Sequence, residues 1–97
     1  MEINATKLTL LLDVAQKAIK VDELGDLKRQ EAADLTQAYY DFKERHGIVE
    51  QIDRDTETFH RMQAATKGEY AAVQDAKRKF NNAQSRLKTT IQRYRTA

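Results

Sequence analysis

Glu57 and His60, in the segment Glu57-Thr58-Phe59-His60, are the pair of side chains best spaced for metal chemistry. A carboxylate and an imidazole three residues apart share one face of a helix, and helical bundles that hold two iron ions use this spacing. Such a site also needs a second copy of the motif and further inward-facing glutamates. The only other histidine, His46, has Lys43 three residues before it. We therefore predict that His60 is a solvent-side residue beside the core, and we expect no metal or other cofactor.

No other pattern in the sequence predicts catalysis. The chain has no cysteine, which excludes disulfides and thiolate chemistry, and Ser85 is its only serine. We expect neither histidine to lie near that serine. Phosphate-binding loops, dinucleotide-binding glycine patterns and zinc-ligand spacings are also missing. We predict that the protein is not an enzyme.

The composition predicts an all-α fold. The 97 residues include no proline and only three glycines, while Ala, Leu, Lys, Gln, Glu and Arg dominate. These six residue types are the strongest helix formers. A chain of this length forms one domain at most, here residues 1–97, with a modest core.

A seven-residue repeat marks the second half of the chain. It predicts a long helix that lays one edge against another helix, as in a coiled coil. We call its large apolar and aromatic members the seam and predict that they mediate self-association. With Thr66 as the one polar interruption, the seam residues are Ile52, Phe59, Val73, Phe80, Leu87 and Tyr94.

Local start and stop signals predict two helices before the seam. Asn4 has the residue type of an N-cap and begins a helix predicted over residues 4–20. Two aspartates and Gly25 in the segment 21–26 predict a joint. The next helix is predicted over residues 26–46 and stops at Gly47, which follows basic residues and precedes an apolar one.

The last helix is predicted over residues 48–95. It passes through Gly68 without a break, because no apolar residue and no new N-cap follow that glycine. The predicted architecture is a helical hairpin or three-helix bundle with one long, coiled-coil-like C-terminal helix. In size and central turn it is similar to the helical-hairpin secretion substrates, although Arg45-His46-Gly47 stands where that family has Trp-x-Gly. The resemblance is one of architecture and implies no function.

The first helix is the most hydrophobic segment of the chain. Its apolar residues are too widely spread for one narrow stripe, so we expect more than one neighbour to cover them. One group comprises Leu8, Leu11, Leu12, Ala15 and Ile19, and Leu10, Val14 and Val21 widen that face.

The seam predicts a second copy of the chain. A helix over residues 26–46 is long enough to cover only the first half of the last helix, and an uncovered seam needs a partner. Parallel pairing of two last helices would stack Lys79, Arg86 and Arg93 on their own copies. Antiparallel pairing centred near Tyr70 would instead bring the acidic start of one helix near the basic end of the other. We therefore expect an antiparallel homodimer, with a monomeric bundle bent at Gly68 as the alternative.

The charge is unevenly distributed along the chain. Residues 1–66 carry 9 Lys and Arg against 13 Asp and Glu, whereas residues 67–97 carry 8 against 2. A basic helix of this kind can face an acidic partner or the phosphates of a nucleic acid. The candidate residues for such a face are Lys77, Lys79, Arg86, Lys88, Arg93 and Arg95, with Tyr40 as a further candidate contact.

These features together predict a non-enzymatic helical protein that binds itself and an unidentified protein partner. Regulators, inhibitors such as a phage-encoded one, adaptors and assembly chaperones all share this description, because a fold does not choose among them. The alternative is a nucleic-acid-binding protein that uses its basic C-terminal helix. The acidic start of the chain and the lack of a long apolar stretch predict a cytoplasmic protein with no membrane partner.

Overall fold

The computed structural model describes residues 4–97, and these form a helical hairpin. Its helices are α1 (Ala5–Arg45), α2 (Glu57–Ala65) and α3 (Lys67–Thr96). α1 and α3 run in opposite directions, since Lys7 lies over the ring of Tyr94 and Lys28 over the ring of Phe80. The molecule is a rod of 66 × 20 × 18 Å. The predicted all-α fold is confirmed, and the first three residues of the predicted 1–97 domain lie outside the described ones.

Both predicted end signals of the N-terminal half are confirmed. The Asn4 side chain accepts a hydrogen bond from the backbone N–H of Lys7 at 2.8 Å and so caps α1. At the other end Gly47 takes a left-handed conformation, with φ of 63°. The N–H of Ile48 reaches back to the carbonyl of Lys43 at 2.8 Å, and the N–H of Gly47 reaches the carbonyl of Glu44 at 3.2 Å. This pair of bonds is a Schellman motif, which stops a helix by satisfying its last carbonyls.

The predicted joint at residues 21–26 is wrong, because α1 is one unbroken helix of 41 residues. Gly25 is helical and buried, and a Cβ built on it would lie 3.4 Å from the Phe80 ring. Asp26, which could have capped a new helix, instead pairs with Arg29 one turn later. Packing against α3 therefore overrides the local signals for a turn.

The predicted helix over residues 48–95 is also wrong at its start. Residues 46–56 are not helical, and Asp55 within them has a positive φ of 66°. α2 begins at Glu57 behind Thr56, whose hydroxyl accepts a hydrogen bond from the N–H of Phe59 at 3.1 Å. A threonine followed by an acid is a recognisable start signal.

The long helix is interrupted at Thr66, two residues before the glycine where the sequence allowed a break. Thr66 is buried, with φ of −108° and ψ of 16°, and separates α2 from α3. Its hydroxyl donates to the carbonyl of Met62 at 2.8 Å, and its own carbonyl accepts from the N–H of Tyr70 at 3.0 Å. The chain therefore bends at this one residue, between the end of α2 and the start of α3. Gly68 is exposed, and nothing lies within 4 Å of a Cβ built on it.

The α3 part of the seam packs on α1 of the same chain, so α3 is not left uncovered as the sequence predicted. The prediction of one helical seam is wrong for Ile52, which lies in the non-helical segment 46–56, and Phe59 lies on α2. Val73, Ala76 and Ala83 are buried, and Phe80, Leu87 and Tyr94 are half-buried. The facing edge of α1 repeats every three to four residues, as a coiled-coil edge does. Its apolar members are Leu10, Val14, Val21, Leu24, Leu35, Ala38 and Phe42, all buried or half-buried. The homodimer stays a prediction, but the argument from an uncovered seam no longer supports it.

None of the described helices is long and apolar enough to cross a membrane.

Candidate interaction surfaces

The Glu57 and His60 pair gains no further ligand from the fold. The Glu57 carboxylate accepts a hydrogen bond from Arg61 at 2.7 Å, and His60 is exposed beside the ring of Phe59. Within residues 4–97 no group of three or more His, Cys, Asp or Glu side chains could hold a metal ion.

An apolar stripe runs along the outer side of the first half of α1. We define it as Leu8, Leu11, Leu12, Ala15 and Ile19, all of them exposed. Leu8 is 50% exposed, Leu12 58% and Ile19 60%, although the sequence predicted them as packing residues. The apolar residues of this part of α1 that pack toward α3 are instead Leu10, Val14 and Val21. Large apolar side chains scattered singly on a surface are ordinary, but several in one helical row indicate an interaction site.

A basic groove lies between α1 and α3. Its uncharged lining comprises the aliphatic residues Leu24, Leu27 and Ala83, together with the amide side chain of Asn82. We call the three aliphatic residues its floor. Its rims carry positive charge from both helices, with Lys17 and Lys20 on α1, and Arg78, Lys79 and Arg86 on α3. A continuation of the groove past Lys17 and Arg86 adds Arg93.

Two acids partly neutralise the rims. Lys17 donates to Asp13 at 2.5 Å, and Asp75 accepts from Arg78 and from Lys79, the latter at 3.0 Å. The hydrogen bond from Arg78, followed by the one from Lys79, holds the pKa of the Asp75 carboxyl below its usual range. Within the described chain Lys20, Arg86 and Arg93 make no ion pair. The groove thus keeps an excess of positive charge.

The apolar stripe faces away from the α1–α3 junction, whereas the basic groove lies along that junction. At 100° per residue, Leu8 and Ile19 project roughly 160–200° away from Lys17, which lines the groove. Lys88 lines a hollow on the stripe side, with Val21 and Ile91. The hairpin therefore carries two separate surfaces, the apolar stripe and the basic groove.

The predicted basic face of the C-terminal helix divides between these two sides. Lys79, Arg86 and Arg93 follow one another at seven-residue intervals and border the groove. The other three project to the far side of the seam, by the same helical geometry, and are Lys77, Lys88 and Arg95. Tyr40, the remaining candidate contact, is 63% exposed on α1.

Sequence reasoning missed Lys17 and Lys20 as members of the basic face. Both lie on α1, more than fifty residues from their neighbours in the groove. The seven-residue repeat of α1 could have indicated this placement, because Leu10, Lys17 and Leu24 occupy the same position of successive repeats. Two facing repeats place the charged flanks of both helices at the same edge.

No family model matches the chain, and neither the curated proteins nor the solved structures contain a match.

Proposed function

We propose that the protein is a non-enzymatic protein–protein interaction module that acts as a homodimer through the apolar stripe of α1. The exposure of Leu8, Leu12 and Ile19 in one helical row is the observation that carries this proposal. Covering the exposed half of each such side chain contributes about 1 kcal/mol to the free energy of association, since full burial of an aliphatic side chain contributes about 1.5–3 kcal/mol. A surface of this kind favours helix-on-helix docking.

The spacing of the stripe suits an antiparallel pair of α1 helices. Leu8 and Leu12 are four residues apart, as are Ala15 and Ile19. About a two-fold axis between Asp13 and Val14, Leu8 faces Ile19 of the second copy and Leu12 faces Ala15. A large residue opposite a small one lets the helices interlock, and the same patch serves both copies.

Charges at the ends of the stripe support the same pairing. The apolar row ends at Asp22, while Arg95 projects to the stripe side near the free end of the hairpin. In the antiparallel pair, Asp22 of one copy lies at the level of Arg95 of the other. Opposite charges at the rim of an interface fix its register more than they add affinity.

Sedimentation of Leu12→Glu tests this proposal. We expect the unchanged protein to sediment as a dimer at micromolar concentrations, and Leu12→Glu as a monomer with an unchanged helical circular dichroism spectrum. Tyr40→Glu is the matched control, because it also replaces a large exposed side chain of α1 but lies outside the stripe. A monomeric parent protein, or a dimeric Leu12→Glu variant, would overturn the proposal.

A further inference from the structure

From the basic groove, we infer that the protein binds an acidic amphipathic helix of a partner protein between α1 and α3. Both rims are positive, while the floor of Leu24, Leu27 and Ala83 is aliphatic. A ligand that satisfies this surface has an apolar row flanked by acids on both sides. This deepens the proposed interaction function by naming a second surface and the chemistry of its occupant, and it does not require the dimer.

The dimensions of the groove suit a helix. Lys79 and Arg93 are fourteen residues apart on α3, which corresponds to about 21 Å, or roughly four turns. Two packed helices leave a furrow between them, and a third helix laid in it completes a three-helix arrangement. Leu27 is exposed at the floor, so an apolar row on the partner would cover it.

The pattern of charges selects an acidic partner. Lys20, Arg86 and Arg93 form no ion pair among the described residues, so they are available to carboxylates. Among residues 4–97, the only acids paired at the rims are Asp13 and Asp75. Carboxylates on both flanks of a docked helix would meet positive charge on either rim, which favours this ligand over a basic or neutral one.

The groove suits a protein ligand better than a nucleic acid. Proteins that bind single strands offer aromatic side chains on which bases stack. No aromatic residue among residues 4–97 lines the groove, and Phe80 is half-buried under Lys28.

Fluorescence anisotropy with synthetic peptides tests this inference. The probe is a labelled helical peptide of about 18 residues, long enough to span the groove, with a leucine row flanked by glutamates. A second peptide has glutamine in place of every glutamate, and a labelled single-stranded oligothymidylate and a mixed-sequence DNA duplex are the nucleic-acid probes. We expect the acidic peptide to bind with an affinity that falls as salt rises. The glutamine peptide and both DNAs should bind at least about tenfold more weakly.

Charge reversal locates the site. Lys20→Glu combined with Arg86→Glu should weaken binding of the acidic peptide at least about tenfold. Lys77→Glu combined with Lys88→Glu changes the net charge equally on the other side of the hairpin and should leave peptide binding within about twofold, because exposed charges beyond a Debye length are screened. If the groove variant unfolds, Lys20→Ala with Arg86→Ala takes its place, with a smaller loss in the same direction.

Three results would overturn the inference: equal binding of the glutamine peptide, tighter binding of either DNA, or equal losses from the two reversals. Leu12→Glu separates this inference from the proposed dimer, since a monomer that still binds the peptide leaves the groove intact. If the protein is a dimer but binds no acidic peptide, the inference about the groove is refuted and the proposed function is not.

Discussion

Replacing Gly25 by alanine should stabilise the protein. Gly25 lies in the interior of α1, where alanine is favoured over glycine by about 0.8–1.0 kcal/mol. The added methyl group would lie 3.4 Å from the Phe80 ring and 3.7 Å from a guanidinium nitrogen of Arg29, which are ordinary contact distances. We expect Gly25→Ala to raise the free energy of unfolding by about 0.5–1 kcal/mol and Tm by about 2–8 °C for a domain of this size.

A larger side chain at the same position should act in the opposite direction. Leucine would extend beyond its Cβ into the Phe80 ring, and overpacking of this kind costs about 1–3 kcal/mol. Gly68→Ala is the matched control. Nothing lies within 4 Å of its Cβ, so its effect reports helix propensity without packing.

Urea and thermal unfolding, followed by circular dichroism, measure all three variants. The outcome also separates the continuous α1 from the joint that the sequence predicted. In a joint with Gly25 in a left-handed conformation, alanine would destabilise the protein. A lower Tm for Gly25→Ala, or a leucine variant as stable as the parent, would refute the placement of Gly25 against Phe80.

Two further predictions concern polar side chains. Thr66→Val should lower the free energy of unfolding, measured in urea, by about 1 kcal/mol. The reason is that it removes the hydroxyl that donates to the carbonyl of Met62 at 2.8 Å beside the bend. An unchanged midpoint of urea unfolding would show that this hydrogen bond does not support the bend. Asp75, whose pKa is lowered chiefly by Arg78, should contribute stability above its unfolded pKa of about 3.9 and lose it as pH falls through the folded value. The Tm difference between the parent and Asp75→Asn should therefore shrink as the pH of the melts is lowered past that point, and a constant difference would contradict it.

Signals that involve a few adjacent residues could be read correctly from the sequence. The Asn4 cap and the Gly47 stop are of this kind, because each needs only a side chain or a positive φ at one position. The start of α2 at Thr56 was missed because acids in the preceding loop resemble those of a first helical turn. Helix boundaries depend on which of several nearby signals wins, and local chemistry alone does not decide that.

Charged residues occupy several positions of the seven-residue repeat of α1, so the apolar residues alone do not show the repeat. Lys7, Lys17, Lys28 and Glu31 stand where a coiled-coil edge usually has apolar side chains, yet all four are half-buried against α3. Lysine can occupy such positions because its aliphatic stem packs while its ammonium group reaches outward, here over Tyr94 and Phe80. A pattern search that counts only apolar residues therefore misassigned the packing face of α1 to Leu8, Leu12 and Ile19.

This misassignment and the candidate surfaces have one physical origin. Once α1 turns its mixed apolar and charged edge toward α3, a second apolar row that includes Leu8, Leu12 and Ile19 is left facing outward. A chain that only needed to fold would bury more of these apolar side chains, because burial of an aliphatic side chain is favourable. The outward placement of the apolar stripe is what we expect if the stripe packs against a second helix, since residues that break a local rule without serving the core are often functional. Because the groove lies along the α1–α3 junction and the stripe faces away from it, occupancy of one surface would leave the other accessible.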